Sequence, residues 1–425
     1  MHVLPAKIGF VLLATIGCFI ATRGRSRLDR LSTADTNRLL AFAFVLCRIV
    51  PFVVIYGVLD LEPRSDVPVF YDAATHALNG EVVYRDFWSP YSPLFSYLMA
   101  LPLLLWSDVR MIVLLMISME AVAWWLTYRH YRSRSGAFPA LLYMLLPAPF
   151  VFSVLGGQED CWMWCFGIGS LLLWRHWPDP FRQGVWWAVA LLATKALIAF
   201  VVLALLAWMA RPRRFLLGLA VVGVPALLLM LSLTGSGILT PLSVGTMRFA
   251  ANGWTILGPL IGDFMPYAGV VSSTGLVALL GVSLLGGWQL RRARVAYEYA
   301  LPILWLLIYG TLMLVHKSSF GNYVFIYALP LVFTQVEWQN RRDVGMLLLL
   351  SATAAIHPTL WWAMDQPIYT SWRQLQNPAY AAEYALGLAM LAGVSYFVRK
   401  AYRQTVKRQA PERRVVLTYQ KPSIF

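Results

Sequence analysis

The chain has 425 residues, of which 59% are hydrophobic and only 13% charged, with a formal net charge of +15. Soluble domains carry about 25% charged residues, so this composition excludes a water-soluble protein and predicts an all-α, polytopic integral membrane protein whose partner along most of its length is a lipid bilayer. The positive charge does not point to nucleic acid, because Lys and Arg cluster between apolar runs, where they set membrane orientation.

A helix needs about 20 apolar residues to cross a bilayer, since only internal hydrogen bonding satisfies a backbone in hydrocarbon. Residues 3–22 form the first such run; only Lys7 precedes its apolar core and no small-residue cleavage site follows, so it reads as a retained span rather than a signal peptide. Basic clusters follow at RGRSRLDR (23–30), RHYRSR (129–134), RHWPDPFR (175–182), RPRR (211–214), RRAR (291–294), NRR (340–342) and RKAYRQTVKRQAPERR (399–414). Placing all seven in the cytoplasm gives spans at 3–22, 39–59, 107–128, 137–156, 161–177, 215–234, 271–290, 299–315, 320–337, 344–364 and 381–398. Residues 184–210 lie between two basic clusters and are too short for two full crossings, which predicts a hairpin of two short helices. The expected total is about 11–13 transmembrane helices. The chain divides into an extra N-terminal span and linker (1–38), a core (39–398) and a basic cytoplasmic tail (399–425).

This map puts residues 60–106 outside the cytoplasm as one long loop, with a short outer turn at GGQED (156–160) and a Gly-rich outer segment at 235–254. Within the first loop, SPLFSYLMALPLLLW (92–106) is too short to cross and contains Pro102, so it reads as an interfacial or re-entrant helix. The four cysteines, Cys18, Cys47, Cys161 and Cys165, sit in apolar segments and imply neither disulfides nor a zinc site. No internal repeat of the kind common in transporters is visible.

Residues 65–95 of the first loop carry four carboxylates, Asp66, Asp72, Glu81 and Asp86, among aromatics that include Trp88, Tyr91 and Phe95, with Tyr97 just beyond. Phe70, Ala73, Ala74, Ala77 and Leu78 recur at helical spacing, opened by Ser65-Asp66 and stopped by Asn79-Gly80. Asp66 is either a plain helix cap or a functional carboxylate. Carboxylates among aromatics at a membrane surface suit carbohydrate chemistry, because a sugar hydroxyl becomes a nucleophile only with a base in hydrogen-bond reach.

The pattern D-x-x-x-x-Y-x-A-A-x-x-A-L-x-G-x-x-x-Y-R-D-F (66–87), followed by Y-S-P-L-F-x-Y-L (91–98), resembles the first extracytoplasmic loop of the GT-C fold glycosyltransferases. Among these are the polyprenol-phosphate-mannose-dependent alpha-1,2-mannosyltransferases and the dolichyl- and undecaprenyl-phosphate-sugar transferases. Gly157-Gln158, Lys195 and FGNYVFIYALP (320–330) resemble further parts of the same family. The resemblance implies an inverting transfer of a sugar, mannose favoured, from a polyprenyl-phosphate donor to a glycolipid or envelope glycan acceptor. It also implies that Asp66 is the general base, in a multi-pass plasma or inner membrane protein acting on the extracytoplasmic side.

The phosphate leaving group calls for cations on that side, and Arg64, Arg85, Arg248, His316, Lys317 and Arg373 are candidates. Lys195 is unusual near the bilayer interior, where it serves either substrate or a buried carboxylate such as Glu120. Tyr71, Tyr91, Gln158, Glu159 and Tyr323 complete the expected substrate contacts. No cofactor is expected; Glu159 and Asp160 raise a divalent metal, although carboxylates without histidine at ligand spacing are a weak metal signal. A transporter or flippase of lipid-linked sugars is the alternative from another class, favoured by Lys195 and Glu120, and a polysaccharide polymerase is the third.

Overall fold

The computed structural model describes residues 3–28, 31–246, 251–317 and 320–407. Its main helices are α1 (Val3–Arg23), α2 (Thr33–Val58), α3 (Val67–Leu78), α4 (Pro93–Leu103), α5 (Arg110–Ser135), α6 (Phe138–Leu145), α7 (Pro147–Leu155) and α8 (Asp160–His176). They continue as α9 (Pro180–Ala193), α10 (Ala196–Trp208), α11 (Pro212–Thr234), α12 (Gly253–Ile261), α13 (Met265–Arg292), α14 (Tyr297–Val315), α15 (Val324–Pro330), α16 (Arg341–Ala363) and α17 (Pro378–Lys407). There is no strand among the described residues, and the fold is that of an all-α polytopic membrane protein. Among the described residues eight helices are long and apolar enough to cross a membrane, or nine when α6 and α7, bent by 57°, count as one span. The other segments expected to span, 161–177, 184–210 and 320–337, hold the shorter helices α8, α9, α10 and α15, which do not reach that length. The basic tail beyond residue 407 and Arg248 lie outside the described residues.

The breaks have local causes. Leu146 takes an extended conformation (ψ 134°) ahead of Pro147, as residues before proline do, and the α6–α7 bend follows. In α2, Pro51 lacks an N–H, and wider π turns flank it at Val45–Ile49 and Val53–Val58. The expected hairpin is α9 and α10, broken at Thr194-Lys195. Its first arm lies directly on α11, where Gly184 and Gly218 face each other with no room for a Cβ on either.

The basic clusters gather at one end of the bundle through a chain of contacts. Arg25 sits over the Phe138 ring and Arg134 pairs with Glu298 at 2.8 Å. Arg214 pairs with Asp179 at 3.2 Å, and the Trp208 indole donates to the Val295 carbonyl at 3.2 Å. Ser135 donates to the Phe333 carbonyl at 3.1 Å and Thr405 to Gln289 at 3.2 Å.

The first loop belongs to the opposite end. An ion pair between Asp60 and Arg110 closes it at its base, so the chain leaves α2 and enters α5 at one level. The 11-residue α4 therefore makes no net crossing. Phe70, Tyr91, Phe95 and Met99 pack as one apolar cluster on Ile112, Val113, Met116 and Ile117 of α5 and on Trp162 of α8.

Inside the bundle, Arg48 and Glu120 are both fully buried and form a bidentate pair at 2.7 and 2.9 Å. Arg48 also donates to the Met144 carbonyl at 3.3 Å, so α2, α5 and α6 share one charged joint. Glu120 is thus the partner of Arg48 and not, as the sequence allows, of Lys195. Arg48→Met should cost about 3–5 kcal/mol by stranding the buried carboxylate, while adding Glu120→Leu should recover most of the loss. Thermal unfolding of the purified protein in detergent measures both.

Candidate functional site

Of the four carboxylates in residues 65–95, three are satisfied locally at the surface. Asp72 lies 3.7 Å from the His76 ring and Glu81 lies 2.8 Å from it. Asp86 takes a bidentate pair from Arg85 at 2.9 and 2.8 Å and caps the Val82 N–H at 2.7 Å. Asp66 alone turns toward the bundle. It occupies the N-cap of α3, but its carboxylate accepts no bond from that helix. Instead Oδ2 accepts from the Gln158 amide at 3.1 Å, which also reaches Ser65 Oγ at 3.1 Å. The plain capping account of Asp66 therefore does not describe it.

Backbone geometry sets this contact. Ser65 is held at φ 63° and Gly157 at φ 51°, conformations that cost a residue with a Cβ on the order of 1 kcal/mol or more. Gly157 also lies flat against Val67, whose methyl occupies the place a Cβ would take. The 156–160 turn is thus pressed onto the first turn of α3, and Gln158 arrives beside Asp66.

From Gln158 a polar network continues inward. Asn322 donates to the Gln158 carbonyl oxygen and to Asp160 Oδ2, the latter at 2.9 Å. Lys195, at the break of the α9–α10 hairpin, donates to Asp160 Oδ1 at 2.6 Å and pairs with Glu159. Its ammonium lies 5.6 Å from the Tyr91 ring centroid and 4.9 Å from that of Tyr323, within the range of cation–π attraction. Ser92 N–H donates to the Thr194 carbonyl at 3.0 Å, fastening the loop to the break. Glu159 is 3% exposed and its carboxylate makes no hydrogen bond, only the ion pair.

The structure thus brings together Asp66, Tyr91, Gln158, Glu159, Asp160, Lys195 and Tyr323 of the residues singled out in the sequence, and adds Asn322. Asp160 is legible only as the second acid of GGQED; Asn322 is a single polar residue at the head of an apolar run. Arg85 uses its guanidinium on Asp86 and Tyr71 packs on the apolar cluster of α3 and α5. Neither is joined to the network by these contacts. His316 and Lys317 lie at the end of α14, where the Asn252 amide donates to both of their carbonyls, at 3.1 and 3.0 Å. Burial, aided by Lys317, lowers the His316 pKa. Among the described residues no three His, Cys, Asp or Glu side chains converge as a metal site. Of the outer segment 235–254, Gly237 rests against the Tyr84 carbonyl of the first loop.

The electrostatics of Asp66 follow from its surroundings. Burial raises its pKa above 3.8, the nearby Glu159 raises it further, and the Gln158 hydrogen bond and Lys195 oppose both. A carboxyl so placed is a better proton acceptor than a surface aspartate once ionised.

Gly157→Ala should disturb the site through both steric overlap with Val67 and the positive φ. Val67→Ala added to it should relieve only the first, so thermal unfolding of the single and double variants should show partial recovery and a residual loss of about 1 kcal/mol. No family model, curated protein or solved structure matches the chain, so a functional reading has to be built on this geometry.

Proposed function

We propose that the chain is an inverting glycosyltransferase that takes a sugar from a polyprenyl-phosphate donor at the extracytoplasmic face. Its acceptor is a hydroxyl of a glycolipid or envelope glycan. The observation that carries this reading is the Asp66 carboxylate, which forgoes the helix cap it sits on and joins a polar cluster of two further acids, one lysine and two tyrosines. The loop-one resemblance supports the same assignment.

In this reaction Asp66 takes the proton of the acceptor hydroxyl as that oxygen attacks the anomeric carbon. The bond from that carbon to the phosphate oxygen breaks with its electron pair on the phosphate, and the configuration inverts. Gln158 aims the Asp66 carboxylate, and Asn322 aims Gln158. Lys195 is shared between two carboxylates and so acts on Asp160 and Glu159 before it acts on any phosphate. His316 and Lys317, which follow the end of α14, are proposed for the leaving group on the sequence resemblance. The aromatic faces of Tyr91 and Tyr323 supply the walls that sugar rings stack on.

A transport reading has one observation in its favour, the buried Arg48–Glu120 pair beside the bent α6–α7 segment, since buried charges and broken helices mark transport paths. Movement of a fluorescent lipid-linked sugar across proteoliposomes, unchanged by Asp66→Asn, would favour it.

Asp66→Asn should lower transfer from radiolabelled polyprenyl-phosphate sugars by about 10²-fold or more, with an unchanged unfolding temperature; turnover near that of the parent protein would remove Asp66 from the mechanism. Since its pKa is raised, activity should fall on acidification through a value above the ordinary 3.8. Lys195→Met, which removes an opposing cation, should move that acid limb to higher pH. Glu159→Gln, which removes a like charge, should move it lower. Single-turnover pH–rate profiles of the three proteins test the order.

A further inference from the structure

At the end of the bundle opposite the first loop, arginines outnumber the acids that could pair with them. The Trp208 indole, at the end of α10, donates to the Val295 carbonyl at 3.2 Å, and Gly287 of α13 lies on the Ala204 carbonyl with no room for a Cβ. These contacts bring RPRR (211–214) beside RRAR (291–294), two stretches far apart in the chain. Arg211, Arg213, Arg214, Arg291, Arg292 and Arg294 are all exposed.

Among the described residues only Arg214 of these six has an acidic partner, Asp179 at 3.2 Å. Glu298, the acid that follows RRAR in the sequence, is taken by Arg134 at 2.8 Å. Arg292 lies over the Trp288 ring, 5.5 Å from its centroid, which leaves its charge without a counterion. The positive-inside rule accounts for the sign and the side of such charges. It does not ask that clusters from two different loops fold into one patch, where like charges repel. An anion lying on the patch offsets that repulsion.

The level of the patch in the bilayer names the anion. Leu217, one turn into α11, and Leu285, toward the end of α13, are 58% and 59% exposed, on helices long and apolar enough to cross a membrane. Acyl chains therefore cover the surface next to the arginines. Trp288 and Trp177 are exposed beside them, as tryptophans of the headgroup layer are; Trp177 belongs to the loop that supplies Asp179. The arginines thus stand where lipid phosphates lie.

We infer that this face is a docking site for an anionic phospholipid, with its headgroup phosphate on the arginines of 211–214 and 291–294 and its acyl chains along α11 and α13. Basic sites between membrane helices at the cytoplasmic side take such headgroups, and guanidinium forks bind phosphate oxygens in pairs. A zwitterionic headgroup is disfavoured, because it brings a cation of its own to the patch. The inference does not rest on the transferase reading, and Asp66 has no part in it.

Native mass spectrometry measures this on the full-length protein released from nanodiscs that hold phosphatidylglycerol and phosphatidylcholine in equal amounts with the same acyl chains. The parent protein and Asp66→Asn should both retain phosphatidylglycerol in preference. Arg211→Gln combined with Arg292→Gln should lower the preference by about tenfold or more, whereas Arg211→Lys with Arg292→Lys should keep most of it. Arg132→Gln with Arg341→Gln, which removes the same charge from α5 and α16 at the same end, should leave it unchanged. Unfolding temperatures identify a variant that has lost its fold, and Arg211→Gln alone, with a loss of about fivefold expected, then serves in its place. The inference is overturned if the parent shows no preference, if the folded patch variant retains the lipid as the parent does, or if the α5 and α16 pair loses as much, since summed charge alone would then be at work. Displacement of the lipid by an equal concentration of inorganic phosphate would also overturn it, by marking a site for free phosphate.

Discussion

The site depends on one lysine that must be neutralised where water is scarce. Lys195 stands at the break in the α9–α10 hairpin with its side chain only 14% exposed, and an ammonium so placed needs carboxylates at contact distance. Glu159 and Asp160 supply them and so fix the 156–160 turn against the break. Once that turn is fixed, Gln158 faces Asp66 and Asn322 faces Asp160. Four separate stretches of chain are therefore registered by one charge.

The same turn is loaded by backbone strain. Ser65 and Gly157, on the two sides of the Gln158–Asp66 contact, both hold positive φ, and such conformations persist only where surrounding packing over-determines them. Here the packing is the apolar seat of α3 and α4 on α5, closed at its base by Asp60 and Arg110. Asp66 is thereby held in place by packing alone, which is the preorganisation its proposed role calls for.

How far the sequence discloses these features depends on range. Spans, the hairpin at 184–210 and the α3 helix with its Asn79-Gly80 stop are legible because hydropathy, basic clusters and helical spacing are local properties. Seven clusters at one end also place residues 60–106 at the other without any knowledge of packing. Contacts between distant segments leave no such trace. Glu120 and Lys195 look like partners as the only buried opposite charges singled out, yet Arg48, hidden at a π turn of an apolar run, takes the glutamate. Asn322 is invisible to any averaged hydropathy. Arg85 shares a loop with Asp66 but is consumed by the next residue, which proximity in sequence alone does not reveal.

The charge count of the first cluster bears on how a transferase would use it. Asp66, Glu159 and Asp160 stand against Lys195 in this cluster, so it is not built to receive a phosphate among its acids. In glycosyl transfer, positive charge develops at the anomeric carbon as the leaving group departs. Carboxylates fixed beforehand around that carbon stabilise the charge without reorganising. On the proposed reading the sugar, and not the lipid phosphate, is therefore the part of the donor that belongs beside these acids.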